Sequence, residues 1–234
     1  MHLLLTDRLT CPRCGPPFGL ILLADRMTDR RVHQGTLGCP NCRDSFSVDD
    51  GFADLRAPPR GTLPKGLAGP DPGDVEADSA ARSADPHGAG PFGAMGGVDA
   101  GGISERLVAL LGIHRGPGTV VFTGRAARHA ASVTVVVDDL EAAAVDPDTR
   151  GWAEAPSVSR MVAAPGLPFY SRMLRGAVVD AAAGRGIVFE GARVVAPRSR
   201  VVVLHAEEDT VAVLEEAGLE IMAAESGTVV ATRG

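Results

Sequence analysis

The chain has 234 residues, 45% hydrophobic and 22% charged, enough apolar content for one or two folded domains with buried cores. Its net charge is −6, and no segment is basic: residues 1–56 carry seven Arg against seven Asp, and residues 103–234 carry thirteen Arg against sixteen acids. That balance argues against an autonomous nucleic-acid ligand, which needs surplus cations to displace counterions from phosphates, and no run of about eighteen apolar residues is present to cross a membrane as a helix.

At the amino end, Met1-His2-Leu3-Leu4-Leu5 is apolar but is interrupted at once by Thr6, Asp7 and Arg8, too short for a signal peptide. The expected location is therefore cytoplasmic, where thiols stay reduced. All the cysteines follow in two CxxC pairs, Cys11-Pro12-Arg13-Cys14 and Cys39-Pro40-Asn41-Cys42. Two residues between thiolates let both sulfurs of a pair turn towards one ion, and two such pairs complete a tetrahedral soft-ligand shell. A closed site of this kind holds structure and leaves no position for hydrolysis. Two disulfides would use the same residues, but a redox-active CxxC opens a helix after a strand, whereas both pairs here carry Pro inside and Gly or Arg after. The expected ligand is a metal, with zinc first. Iron in a rubredoxin-like site is the competitor, although the aromatic core of rubredoxins is missing.

Arg30 and Arg31 read as a solvated loop pair near Asp25 and Asp29. Residues 57–102 hold eleven Gly and seven Pro, which leaves room for one short helix at Asp74 to Ala84, and the stretch reads as a linker. The expected division is a ribbon at 1–56, the linker at 57–102 and an α/β domain at 103–234. In the last of these, Thr119 to Thr123 reads as a buried strand, Arg125 to Ala131 as a short helix, and Val133 to Val137 as a second strand ending in Asp138-Asp139. Met161 to Ala164 and Ala177 to Asp180 read as the third and fourth strands, Ile187 to Val195 as a helix, and Arg200 to Ala206 as a further strand. Asp209 is placed to cap a helix at Thr210 to Ala217 that Gly218 ends. Leu219 to Glu225, Ser226-Gly227 and Thr228 to Thr232 spell a β-hairpin. Strands separated by helices imply right-handed βαβ units, hence an α/β fold with a mostly parallel sheet and a C-terminal antiparallel hairpin.

Two stretches resemble known families. Leu9-Thr10-Cys11-Pro12-Arg13-Cys14-Gly15, Gly38-Cys39-Pro40-Asn41-Cys42, Phe46 to Phe52 and Leu55 resemble the zinc-ribbon domain of the small activator subunits of tRNA and protein methyltransferases. The same type of ribbon occurs fused ahead of bacterial methyltransferases. The segment from Ile103 to Arg233 resembles a class I S-adenosylmethionine-dependent methyltransferase, with a Rossmann-like sheet. Arg106 to Gly112 fits the helix before its first strand, and Val137-Asp138 its second strand with a ribose-binding acid. Gly166-Leu167-Pro168-Phe169 fits its fourth-strand region, Ala192 to Pro197 the helix and turn before its fifth strand, and Leu214 to Leu219 the approach to its closing hairpin. The resemblance implies zinc on Cys11, Cys14, Cys39 and Cys42, and S-adenosylmethionine contacts at Gly124 and Asp138.

The cofactor loop departs from the family's pattern. Where the family follows its first strand with an acidic residue and three spaced glycines, so that backbone can approach the cofactor, this chain has Phe122-Thr123-Gly124-Arg125-Ala126-Ala127-Arg128-His129. One glycine is left, no acid is present, and Arg125 stands where a side chain would crowd the ligand. Arg125 and Arg128 would suit a phosphate or carboxylate at a helix N-terminus, against the plainer reading of two Arg on a solvated helix. Asp180 ends the fourth strand, where the family often places a catalytic acid or amide, but Asp180-Ala181-Ala182-Ala183 lacks a Pro-Pro-aromatic signature. Arg198-Ser199 stands where Gly-Gly would make a turn. His114, His129 and His205 read as surface or satisfied residues without metal or triad spacing, and Trp152 and Tyr170 as packing or lid residues. The expected function is a zinc-binding protein with a degenerate, non-catalytic methyltransferase-like domain, engaged with a protein partner or a homo-oligomer in regulation. The alternative is an active S-adenosylmethionine-dependent methyltransferase acting on RNA or a small molecule.

Overall fold

The computed structural model describes residues 1–63 and 100–234, so positions 64–99 of the expected 57–102 linker, with its expected helix at Asp74 to Ala84, lie outside the described residues. After a 3-10 turn at Leu3–Arg8, the amino-terminal segment forms β1 (Thr10–Cys11), β2 (Gly15–Gly19), β3 (Ile21–Thr28), β4 (Arg31–Gly38), β5 (Ser45–Asp49) and β6 (Phe52–Arg56). In β5, Phe46 and Val48 are buried while Ser45, Ser47 and Asp49 are exposed, the alternation of a sheet with one apolar face. Two-residue loops close the β3–β4 and β5–β6 hairpins. Asp29 and Arg30 have φ of 48° and 60°, and Asp50-Gly51 has 46° and 73°, the positive angles that match the twist of flanking strands.

The second unit runs α1 (Ala100–Leu111), β7 (Gly118–Thr123), a 3-10 segment at Gly124–His129, α2 (Ala130–Val136), β8 (Leu140–Val145) and β9 (Val158–Ala164). It continues with β10 (Leu174–Asp180), α3 (Arg185–Val194), β11 (Val195–Leu204), α4 (Thr210–Glu216), β12 (Leu219–Glu225) and β13 (Thr228–Arg233). Neighbouring residues of the central strands are buried against different layers. Val120, Phe122, Ala142, Ala144, Val178 and Val202 cluster with Leu107 and Leu111 of α1 and with Ala130 and Val133 of α2. Val121, Ala143, Val145, Val179 and Val203 cluster instead with Val188 and Ala192 of α3 and with Val213 and Leu214 of α4. Strands apolar on both sides need helices on both faces, which is what the continuous Val and Ala runs dictate.

All the strands from β3 to β13 belong to one sheet, ordered β12-β13-β11-β10-β7-β8-β9-β6-β5-β4-β3. From β9 to β11 the ladders are parallel, and their chain order 3-2-1-4-5 is that of the doubly wound dinucleotide-binding fold, with the switch point between β7 and β10. The hairpin β12–β13 adds on antiparallel. At the other side β6 pairs in parallel with β9, from Phe52↔Arg160 to Arg56↔Ala164, so the antiparallel strands β3 to β6 extend the α/β sheet without a break. Among the described residues no helix is long and apolar enough to cross a membrane.

Three local expectations are corrected. The Val133 to Val137 strand is the end of α2 and the turn after it: Ala130, Val133 and Val137 are buried at a spacing of three and four residues, while Val135 is 83% exposed. β-branched residues only weakly disfavour helix, and burial of one stripe outweighs that preference. The second parallel strand is therefore β8. Asp209 precedes α4 but its side chain makes no capping bond; Thr210 Oγ1 accepts instead from the Glu207 N–H at 2.9 Å. Arg31 is not a solvated loop residue, since its side chain is 12% exposed and its guanidinium donates to the carbonyls of Pro156 and Val158, fastening β4 to the segment entering β9.

Candidate functional site

Both knuckles are shaped by their turns. Gly15, at φ 88°, releases the chain after Cys14, and Arg43, at φ 63°, does so after Cys42, where the Cys39 N–H donates to the Asp44 carbonyl and the Arg43 N–H to the Cys39 carbonyl. The Cys14 N–H points at Cys11 Sγ, 3.4 Å away, and the Asn41 amide at Cys14 Sγ, 3.3 Å. Cys11 and Cys42 sulfurs are 3.7 Å apart, those of Cys39 and Cys14 are 3.9 Å apart, and all four lie within 4.8 Å of one another. A tetrahedron of thiolates about 2.3 Å from a central ion has edges of about 3.8 Å, so the four residues fit a metal ion as they stand. Burial pushes the Cys11 thiol up and the Cys42 thiol up to about 12. Burial also opposes ionisation at Cys39, but N–H groups of Cys42 and Asn41 outweigh it and bring that thiol down to about 7. To ionise together, four sulfurs this close would need a cation among them. Arg13 and Asp44, paired at 3.0 Å, tie the two knuckles together from outside.

The second site lies at the carboxyl ends of the parallel strands, beside the switch point where open α/β sheets bind ligands. Asp180 ends β10 with its side chain 4% exposed. Its Oδ2 accepts from the Arg125 backbone N–H at 3.1 Å and from Arg125 Nε at 2.9 Å. Its Oδ1 accepts from the Ala182 N–H at 3.1 Å and lies 2.9 Å from His205 Nδ1, just past the end of β11. Burial works against the charged carboxylate, but the bonds from Arg125, Ala182 and His205 outweigh it and hold Asp180 below the ordinary Asp range. Gly124 has φ 56°, and a Cβ there would stand 3.1 Å from Asp180 Cβ. This glycine is required by the close approach of its turn to Asp180. Asp146, at the end of β8, caps the next turn through the Asp148 N–H at 2.8 Å. Burial raises its carboxyl above the usual range, and the charges of Asp148 and Asp180 raise it further.

The four cysteines expected to bind metal are brought together. Gly124 and Asp138, expected to share a cofactor, are not. Asp138 sits in the turn ahead of β8, its carbonyl accepting from the Gly116 N–H just before β7, at the edge of the sheet opposite Gly124. The misassigned second strand displaced the expected acid by eight positions, and Asp146 holds the strand-end place. Arg125 is bound to Asp180 rather than lying on a solvated helix. Trp152 packs against the α1/α2 side of the core, in keeping with a packing role. The contact between Asp180 and His205 had no sequence signal, since it depends on two strand ends meeting at the same edge.

No protein-family model and no curated protein matches the chain. Solved structures resemble it in architecture. The [4+2]-cyclase SpnF is 14% identical over 72% of this chain and 78% of its own, with a TM-score of 0.45. Geranyl diphosphate methyltransferase in complex with SAM is 10% identical over 58% and 86%, with a TM-score of 0.48. The complex of the Haloferax volcanii Trm112 methyltransferase activator with a methyltransferase gives 16% over 53% and 70%, with a TM-score of 0.42.

Proposed function

We propose that this chain is a zinc-ribbon protein whose methyltransferase-type sheet no longer transfers methyl groups and acts instead by binding, in regulation of a protein partner or of a second copy. The observation that carries this reading is the Arg125–Asp180 ion pair at 2.9 Å, lying where glycine-lined backbone would have to meet the cofactor. A guanidinium bound to a buried carboxylate fills the turn after the first parallel strand with side chain. Zinc is the reading for the four thiolates because a closed all-sulfur shell suits it, and its task there is to hold the two knuckles. The interaction role is supported by the edge of β3, where Ile21 is 57% and Leu23 66% exposed, apolar surface on a strand that pairs on one side only among the described residues.

The test is calorimetric titration of the metal-loaded protein with S-adenosylmethionine and S-adenosylhomocysteine. No heat and no thermal shift are expected. Micromolar binding, about −8 kcal/mol, would restore the second reading, an active methyltransferase on RNA or a small molecule. One observation favours that reading: an acid, Asp146, does end the second parallel strand, where a ribose-binding acid belongs. Recovery of neither a protein partner nor a defined oligomer by light scattering would remove the support for a binding role.

A further inference from the structure

Asp180 and His205 come from two different strand ends, β10 and β11, and meet beside the switch point. His205 turns the chain just past β11 with a φ of 53°, a left-handed conformation that His takes more readily than most residues with a side chain. The carboxylate opposite is ionised by the donors that surround it, with Arg125 on one oxygen and the Ala182 N–H on the other. An ionised carboxylate 2.9 Å from Nδ1 accepts a hydrogen bond from it, so the ring carries its hydrogen on Nδ1 and its lone pair on Nε2. Nε2 makes no hydrogen bond among the described residues, and the side chain is 21% exposed.

From this geometry we infer that the Asp180–His205 pair makes the carboxyl edge of the sheet a proton-accepting site for a small molecule with an acidic O–H or N–H, a phenol being the simplest. The ligand's proton passes to Nε2, the ring becomes an imidazolium whose Nδ1–H stays on Asp180, and the ligand remains beside it as an anion. Two cations, imidazolium and Arg125, then face two anions, Asp180 and the ligand. Imidazole takes protons effectively from donors of comparable acidity, which selects phenols and acidic heterocycles over aliphatic alcohols. The site requires no S-adenosylmethionine and therefore goes beyond the binding role proposed above.

The probe is 4-nitrophenol, whose anion absorbs visible light and whose neutral form does not. Titrated into the full-length metal-loaded protein at neutral pH, where an ordinary imidazole is mostly neutral and much of the free probe is still protonated, it should give a saturable increase in the phenolate band. His205→Asn, which tolerates the left-handed backbone, should abolish the increase while leaving the melting temperature close to that of the parent. Nitrogen-15 NMR of the parent protein, which needs no variant, should find His205 protonated on Nδ1 and bare on Nε2. Absence of a saturable increase, an equal increase in His205→Asn, or a proton on Nε2 would each overturn the inference. None of these readouts depends on whether S-adenosylmethionine binds, so failure here is distinct from failure of the proposed function.

Discussion

Arg160, on β9, donates from Nη2 to the carbonyl of Asp50 at 2.6 Å, across 110 positions of chain. Its other amino group donates to the carbonyls of Thr149 and Trp152, and the side chain is 6% exposed. One buried cation thus joins the loop between β5 and β6 to the segment between β8 and β9. The β6–β9 ladder runs alongside it. Leu37, Phe46, Leu55, Met161 and Phe169 share a single apolar cluster that crosses the junction.

Metal loss should for this reason be felt beyond β1 to β6. A segment as small as residues 1–56 has little core of its own, so metal binding and its folding should be coupled. Unfolding it would strip β6 from β9 and expose the cluster they share. Cys39→Ser, or chelation, is expected to lower the melting temperature of the whole chain by roughly 10 °C, the effect of about 3 kcal/mol on a protein of this size. Calorimetry should record one transition. Two transitions, the upper one unmoved, would make residues 1–56 an independent unit that unfolds by itself.

Replacing Arg160 by Met fills similar volume but leaves the carbonyls of Asp50, Thr149 and Trp152 without their donor. Unpaired buried acceptors and a broken charge network cost about 3–5 kcal/mol. Urea denaturation should record that loss, with Arg160→Lys intermediate because one ammonium cannot span three carbonyls. A variant within about 0.5 kcal/mol of the parent would mean that water replaces the donor.

Which of these features the sequence announced follows from how local each one is. The metal shell was legible because its information sits in two four-residue spacings, and Ser226-Gly227, at φ 48° and 71°, was legible as a hairpin turn for the same reason. The parallel strands at Thr119, Ala177 and Arg200 could be read from apolar runs, though not their extent. At Val133 to Val137 two signals conflicted: β-branching favours strand, whereas the burial of Ala130, Val133 and Val137 has helical spacing, and burial prevailed. That slip carried the expected acid from Asp146 to Asp138. The pairing of β6 with β9 and the meeting of Asp180 with His205 have no local pattern, because topology alone brings those residues together.

The pH dependence of stability should carry the mark of Asp180. Its folded pKa lies below the unfolded value of about 3.9, so it contributes stability that is fully present above that value and is lost as pH falls through the folded pKa. Arg125 supplies the foremost of the opposing bonds but is 50% exposed, which limits the effect of removing it to about 1–2 kcal/mol. Arg125→Ala should show this deficit at pH 7 and lose it progressively below about pH 3.9, as the unfolded chain takes up the proton first and the folded parent takes it up only at its own lower pKa. Denaturation curves that stay offset by the same amount at pH 7 and pH 3 would contradict it.

Asp146 should behave with the opposite sign. Burial, helped by Asp148 and Asp180, raises its folded pKa, so its ionised form is penalised in the native state and stability is lost as pH rises through that value. Asp146→Asn keeps an oxygen to accept the Asp148 N–H, since Asn caps turns as well as Asp does, and removes the charge. The variant should melt a few degrees higher than the parent at pH 7, where a gain near 1 kcal/mol is worth roughly 2–4 °C in a chain of this length. At pH about 3.5 the parent's own carboxyl is protonated and the two melting temperatures should converge. A lower melting temperature for the variant at pH 7 would place Asp146 among residues whose charge the fold uses, with Arg or backbone donors turned towards it in solution.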